Sequence, residues 1–83
     1  MPRLMAPDGT KNIVGIKIRK LRKSNGFSQE QLMGKLQLLG FDSERGVIKR
    51  IESGDRFVTD IELKMLAKFF NVSYDYLLEQ EIE

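Results

Sequence analysis

Apolar residues in this chain recur at spacings of three and four in a series of short stripes, and no segment of useful length alternates with period two. Such spacing gathers side chains on one face of a helix, whereas a half-buried strand needs strict alternation. The chain is therefore restricted to an all-α fold. Val14, Ile18 and Leu21 make the first stripe, and Leu32, Leu36 and Leu39 the second. Val47, Ile48 and Ile51 form a third, and Leu63, Leu66, Ala67 and Phe70 a fourth. Tyr76 and Leu77, with Ile82, give a short fifth.

Residues between the stripes set the boundaries. A first helix is expected from near Asn12 to Ser24, stopped by Asn25-Gly26, which tolerate the left-handed conformation that closes a helix. Ser28 with Gln31 has the spacing of a capping box, and Gly40 is the expected stop of that second helix. Ser43 is the candidate cap of the third helix, which Gly54 ends. Thr59 with Glu62 repeats the capping box, Asn71 terminates the fourth helix, and Ser73 opens a last one of about two turns. Residues 1–11, with Pro2, Pro7 and Gly9 and no periodicity, read as a flexible leader. Residues 12–83 then form one domain of five short helices.

Composition removes several classes of function. Without Cys or His there is no disulfide framework, no thiolate nucleophile, and neither of the commonest transition-metal ligands. Asp55, Asp60 and Glu62 suggest a carboxylate metal site, but capping and loop solvation account for them without a cation. No glycine-rich phosphate loop, nucleophile elbow or HExxH pattern occurs. No enzyme, metal or organic cofactor is expected. The opening MPRLMAPDGT lacks the apolar run of a secretory signal, so Asn71-Val72-Ser73 reads as a chance glycosylation match and the protein as cytoplasmic. Net charge is only +2, yet residues 1–26 carry +6 and residues 55–83 carry −4. That asymmetry suits a molecule with one face toward a polyanion, and solvated helix faces account for it equally well.

The third stripe carries the sharpest reading. Ile48 and Ile51 fix one face of their helix against a core, so Arg45, Lys49 and Arg50 must point largely elsewhere. A duplex major groove, about 12 Å wide, admits such a helix. The words IRKLR (18–22), GFSQEQL (26–32), RIESG (50–54) and LAKFFNVSYDYLL (66–78), in that order, resemble the Cro and lambda-type repressor family of helix-turn-helix domains, also called the XRE family. The likeness covers about residues 13 to 78. It implies a compact five-helix domain in which the Ser-Gln pair opens the first helix of the motif and the next helix enters the major groove. It also implies a bacterial or phage transcriptional regulator, a repressor in the simplest case.

Carried over by position, the resemblance assigns Gln29 to a phosphate grip at the N-terminus of the motif's first helix. Arg45, Gly46, Lys49 and Arg50 fall at groove-facing positions, and Arg56 in a loop that follows the phosphate backbone. Arg22 and Glu52 match an ion pair tying the first helix to the end of the third. Three departures stand out. Gln37-Leu38-Leu39-Gly40-Phe41 lengthens the connection between the motif helices, and Met33 replaces a usual alanine. Gly46 lacks a contacting side chain, and if it lies inside the helix it costs roughly 1 kcal/mol against Ala. Arg50 is the expected base reader, because its planar fork can bond G O6 and N7 together. Lys49 suits a phosphate. Among Lys17, Arg19, Lys20 and Lys23, one or two at most are expected to reach phosphates. One small module touches few base pairs, so a symmetric homodimer on an inverted-repeat duplex operator is expected. An antitoxin-like or adaptor module that uses the same fold to bind a protein is the competing reading, served by the acidic tail and the apolar last helix.

Overall fold

The computed structural model describes residues 5–41 and 46–79, and every regular element among them is a helix. In chain order these are α1 (Gly15–Ser24), α2 (Gln29–Gln37), α3 (Val47–Ser53), α4 (Asp60–Phe70) and α5 (Tyr74–Leu78). Their starts follow local chemistry. Ser28 accepts the Gln31 N–H at 3.0 Å, and the Gln31 side chain accepts the Ser28 N–H at 2.8 Å. Thr59 and Glu62 do the same at 3.2 and 3.0 Å, and Ser73 accepts the Tyr76 N–H at 3.1 Å. The ends of α1 to α4 share one device. Left-handed Gly26, Gly40, Gly54 and Asn71 turn the chain back. The next N–H then reaches a carbonyl five residues earlier: Phe27 to Arg22, Phe41 to Leu36, Asp55 to Arg50, Val72 to Ala67.

Four details differ from the sequence expectations. First, α1 begins at Gly15, because Asn12 spends its side chain on the backbone instead of joining the helix. Its Oδ1 accepts the Gly15 N–H at 2.9 Å, while its Nδ2 donates to the carbonyls of Ile51 (3.1 Å) and Arg56 (2.7 Å). Second, Leu39 does not belong to the inner stripe and is 54% exposed. Regular α2 ends at Gln37 and the chain turns through residues 38–40, so helical spacing from Leu36 no longer maps onto the inner face. Phe41, 5% exposed, fills that part of the core. Third, Gly46 is the left-handed N-cap of α3 at φ 81°, not an interior helical residue. The helix-interior cost does not apply there, and glycine is the residue best suited to that backbone. Fourth, part of the stretch read as a leader is built into the fold. Ala6 and Gly9 close a turn, Lys11 N–H donates to the Gly54 carbonyl at 2.8 Å, and the Asp8 carboxylate accepts from Thr10 N–H and Oγ. The Thr10 backbone bond, then its hydroxyl, holds the Asp8 carboxyl below its ordinary pKa. Ser43, Glu44, Arg45 and Ile82 lie outside the described residues.

Ile18, Leu32, Leu36, Val47, Ile51, Leu66 and Leu77 are completely buried and form one core with Val14, Phe41, Ile48 and Ala67. Within it α3 packs against both α1 and α2, and α5 against α4. At Gly15 of α1, α1 and α3 lie so close that a Cβ would stand 2.1 Å from the Ile51 carbonyl oxygen. Phe27, Phe69 and Phe70 close the far side, with ring centroids 6.3 Å and 5.0 Å apart along the series.

The loop between α3 and α4 is tied down by charge. Arg56 donates to both Glu62 oxygens, at 3.0 and 2.8 Å, and to the Phe57 carbonyl. Burial pushes the Glu62 carboxyl up, but the bonds from Arg56 and Thr59 outweigh it, so its pKa sits below the ordinary value. A depressed carboxylate stabilises the fold above its unfolded pKa and loses that contribution as pH falls through the folded one. Glu62→Gln is expected to cost about 1–2 kcal/mol at neutral pH. The gap to the parent should close below about pH 4. Melting curves at intervals from pH 7 to pH 2 check this, and a gap that persists unchanged at pH 2 contradicts it.

Candidate nucleic-acid interface

Three inward side chains decide which way α3 presents the rest. Val47, Ile48 and Ile51 are 0%, 2% and 0% exposed, so the intervening positions face away from the core. Lys49 is exposed, Arg50 half-exposed, and Gly46 lies exposed at the helix start. Ser53 closes the far end of this face, its hydroxyl within hydrogen-bonding reach of the Arg50 carbonyl at 3.2 Å and the Asp55 carboxylate at 3.0 Å. The helix is only seven residues long, too short to hold itself in water. Its direction is therefore set by what grips it.

Three grips are visible. Asn12 binds the Ile51 and Arg56 carbonyls at its C-terminal end. Gly15 allows α1 to lie directly on the Ile51 carbonyl. The third grip is ionic: Arg22 donates from Nε to Glu52 Oε2 at 2.6 Å and from Nη2 to Oε1 at 3.0 Å. Both side chains are nearly buried, 11% and 5% exposed, and Arg22 Nη1 also reaches the Phe27 carbonyl at 2.8 Å. The hydrogen bond to Glu52 raises the Arg22 pKa above its ordinary value, against burial, so the guanidinium stays charged.

Gln29, the first residue of α2, lies beside that pair, its Nε2 donating to Glu52 Oε1 at 3.1 Å. The start of α2 and the last turn of α3 are thus joined through one carboxylate. Gln29, Lys49 and Arg50 sit on these two neighbouring helices; Arg45 lies outside the described residues. Arg56 is at the edge of the arrangement, its guanidinium engaged with Glu62. The α1 cations divide. Arg19, Lys20 and Lys23 are exposed, whereas Lys17 is 7% exposed with its Nζ 4.6 Å from the centre of the Tyr76 ring. Asp55, Asp60 and Glu62 are engaged with Ser53, the Ile61 N–H and Arg56 respectively. No group of acidic residues spaced to hold a cation occurs among the described residues.

Sequence reasoning missed Asn12 and Gly15 as contacts of α3. Asn12 had a readable signal, since Asn three residues before a helical N–H is a capping pattern. Gly15 had none, because its role depends on where α3 lies.

A family model described as a helix-turn-helix domain matches residues 15–83. Among solved structures, one described as the crystal structure of the DNA-binding domain of BldD matches with a TM-score of 0.70 at 32% identity, over 90% of this chain and all of that one. No curated protein sequence matches. With the family model spanning most of the chain and the five helices in the expected order, the chain belongs to the helix-turn-helix domain family, in the Cro- and lambda-repressor-like arrangement.

Proposed function

We propose that this protein is a transcriptional regulator that binds duplex DNA in a sequence-specific manner, with α3 in the major groove and the start of α2 on the backbone. The observation that carries the reading is the orientation of α3: it buries Val47, Ile48 and Ile51 and turns Lys49 and Arg50 away from the core, while Gln29 at the start of α2 is bonded to Glu52 of the same helix as those cations. In this reading Arg50 reads bases, Lys49 and Gln29 hold phosphates, Gly46 starts the helix, and Arg45, before it in sequence, is a further DNA contact. Arg56 acts on the backbone from the next loop, exchanging its hold on Glu62 for a phosphate. Exposed Ile61, Tyr74 and Leu78 on α4 and α5 support a symmetric homodimer on an inverted repeat. Repression by covering a promoter is the simplest outcome for a domain of this kind.

Selection of bound sequences from a random duplex library tests the reading. The selected affinity should fall with salt at a log–log slope near −0.9 per phosphate neutralised. Arg50→Ala should cost about 1–3 kcal/mol and relax preference at matching positions of both half-sites. Lys49→Ala should weaken all sequences alike. An unchanged preference profile for Arg50→Ala removes it as a base reader, and a site without two-fold symmetry removes the dimer. Equal affinity for all duplexes, with tight capture of a protein instead, points to the adaptor reading.

A further inference from the structure

We infer that Glu52 has a second role beside its ion pair: it is a positioning residue that orients the Gln29 amide to receive a backbone phosphate. The inference rests on the DNA-binding reading above. Gln29 is long and half-exposed, the kind of side chain that normally samples many rotamers and must be ordered on binding. Here its Nε2 is held 3.1 Å from Glu52 Oε1. Glu52 is itself immobilised, with its side chain 5% exposed and both oxygens bonded to Arg22. Arg22 in turn is fixed to the Phe27 carbonyl at 2.8 Å, in the turn that leads into α2. The anchor is therefore rigid on both sides.

The chemistry of the anchor selects the orientation. A carboxylate only accepts hydrogen bonds, so it draws the NH2 end of the Gln29 amide toward α3, not the carbonyl end. One N–H is used this way. Among the described residues this is the bond the Gln29 amide makes, which leaves the second N–H to donate to an anion at the start of α2. The α2 terminus favours an anion there through its own dipole. Arg22 neutralises Glu52, so the carboxylate can steer the amide without repelling the phosphate. The same carboxylate joins α3, so the phosphate grip and the reading helix hold one fixed relation. Phosphate contacts set register, and here register is transmitted through Glu52.

The test compares the parent, Gln29→Ala, Glu52→Gln and the double variant on one selected duplex, scoring only folded protein. Gln29→Ala should weaken binding of the parent about tenfold, the effect of one bond to a charged group. In the Glu52→Gln background the same change should matter about twofold or less, because an amide at position 52 can turn either its oxygen or its NH2 toward Gln29 and no longer selects that side chain's orientation. A full tenfold loss in both backgrounds overturns the inference, since a role confined to stability leaves the Gln29 contact intact in folded molecules. Failure of every variant, parent included, to bind any duplex overturns the DNA reading and this role with it. Should Glu52→Gln not fold, the Gln29 side-chain amide signals of the parent decide the matter by NMR. One proton slow to exchange in free protein, and the other shifting on addition of duplex, supports the role. Two protons that exchange with water equally fast and keep the shifts of an unstructured chain overturn it.

Discussion

Glu52→Ala is expected to destabilise the fold by about 3–5 kcal/mol, the cost of leaving a buried charge without its partner. Arg22 would keep its guanidinium close to the Phe27 carbonyl but lose both bonds to the carboxylate, at a site where its side chain is only 11% exposed. Because the hydrogen bond to Glu52 is the largest influence holding the Arg22 pKa up, loss of the carboxylate leaves burial unopposed. For a domain of this size, about 4–8 °C of melting temperature accompanies each kcal/mol. The expected fall is therefore about 12–40 °C, enough to unfold the protein near physiological temperature. Arg22→Ala should be comparably harmful, since it strands the Glu52 carboxylate with the Gln29 amide as its remaining partner. The double variant should be much less damaging than the sum of the two single ones, because each loss contains the penalty for the abandoned partner. Thermal melts of the three variants measure the coupling. Additive losses would mean the pair contributes no mutual stabilisation despite its geometry.

Gly15 makes the second large prediction, and here two effects of opposite sign compete. Helix propensity favours Ala over Gly by about 1 kcal/mol, so on that basis alone Gly15→Ala should stabilise α1. The added Cβ, however, would stand 2.1 Å from the Ile51 carbonyl oxygen and 3.0 Å from Asn12 Oδ1. The Ile51 oxygen belongs to backbone and already accepts from Asn12, so it cannot rotate aside like a flexible side chain. Forcing atoms into a packed contact costs typically about 1–3 kcal/mol, and a backbone clash this deep lies at the upper end. Sterics should win. Gly15→Ala is expected to lose about 2 kcal/mol net, and Gly15→Val considerably more, as both move α1 off α3. Under the proposed function, affinity for DNA should fall as well, since the displaced element is the helix assigned there to the groove. A Gly15→Ala protein at least as stable as the parent would show that the helices separate freely.

Much of the fold was legible because it is written in local terms. Ser28–Gln31 and Thr59–Glu62 form capping boxes in the structure as their spacing indicated. Gly26, Gly54 and Asn71 take the left-handed conformation that a helix stop requires. Leu39 misled because its spacing from Leu36 assumes an unbroken helix, and a hydrophobic period carries no information about where hydrogen bonding ceases. The Gly40-Phe41 pair held the missing clue, since a left-handed stop is often followed by an apolar residue that packs back onto the last turn. Arg22 and Glu52 entered by resemblance alone; their separation of thirty positions leaves no local trace.

The sequence by itself determined the class of structure: helical periods, caps and stops depend on neighbours within four or five residues, and those neighbours are fixed by order along the chain. Through the family resemblance it also named a candidate interface: one short basic helix, Gln29 opening the helix before it, Arg56 in the loop after it, and one or two cations of the first helix. Tertiary structure decided which polar residues have partners. Gln29 rests on Glu52, Arg56 on Glu62, Lys17 on the Tyr76 ring, and Asn12 on carbonyls 39 and 44 residues away. Gly15 was decided the same way, by a carbonyl of α3 that only packing brings to it. Contacts of this kind depend on how helices cross, and crossing is set by the shape of the shared core rather than by any period in the sequence.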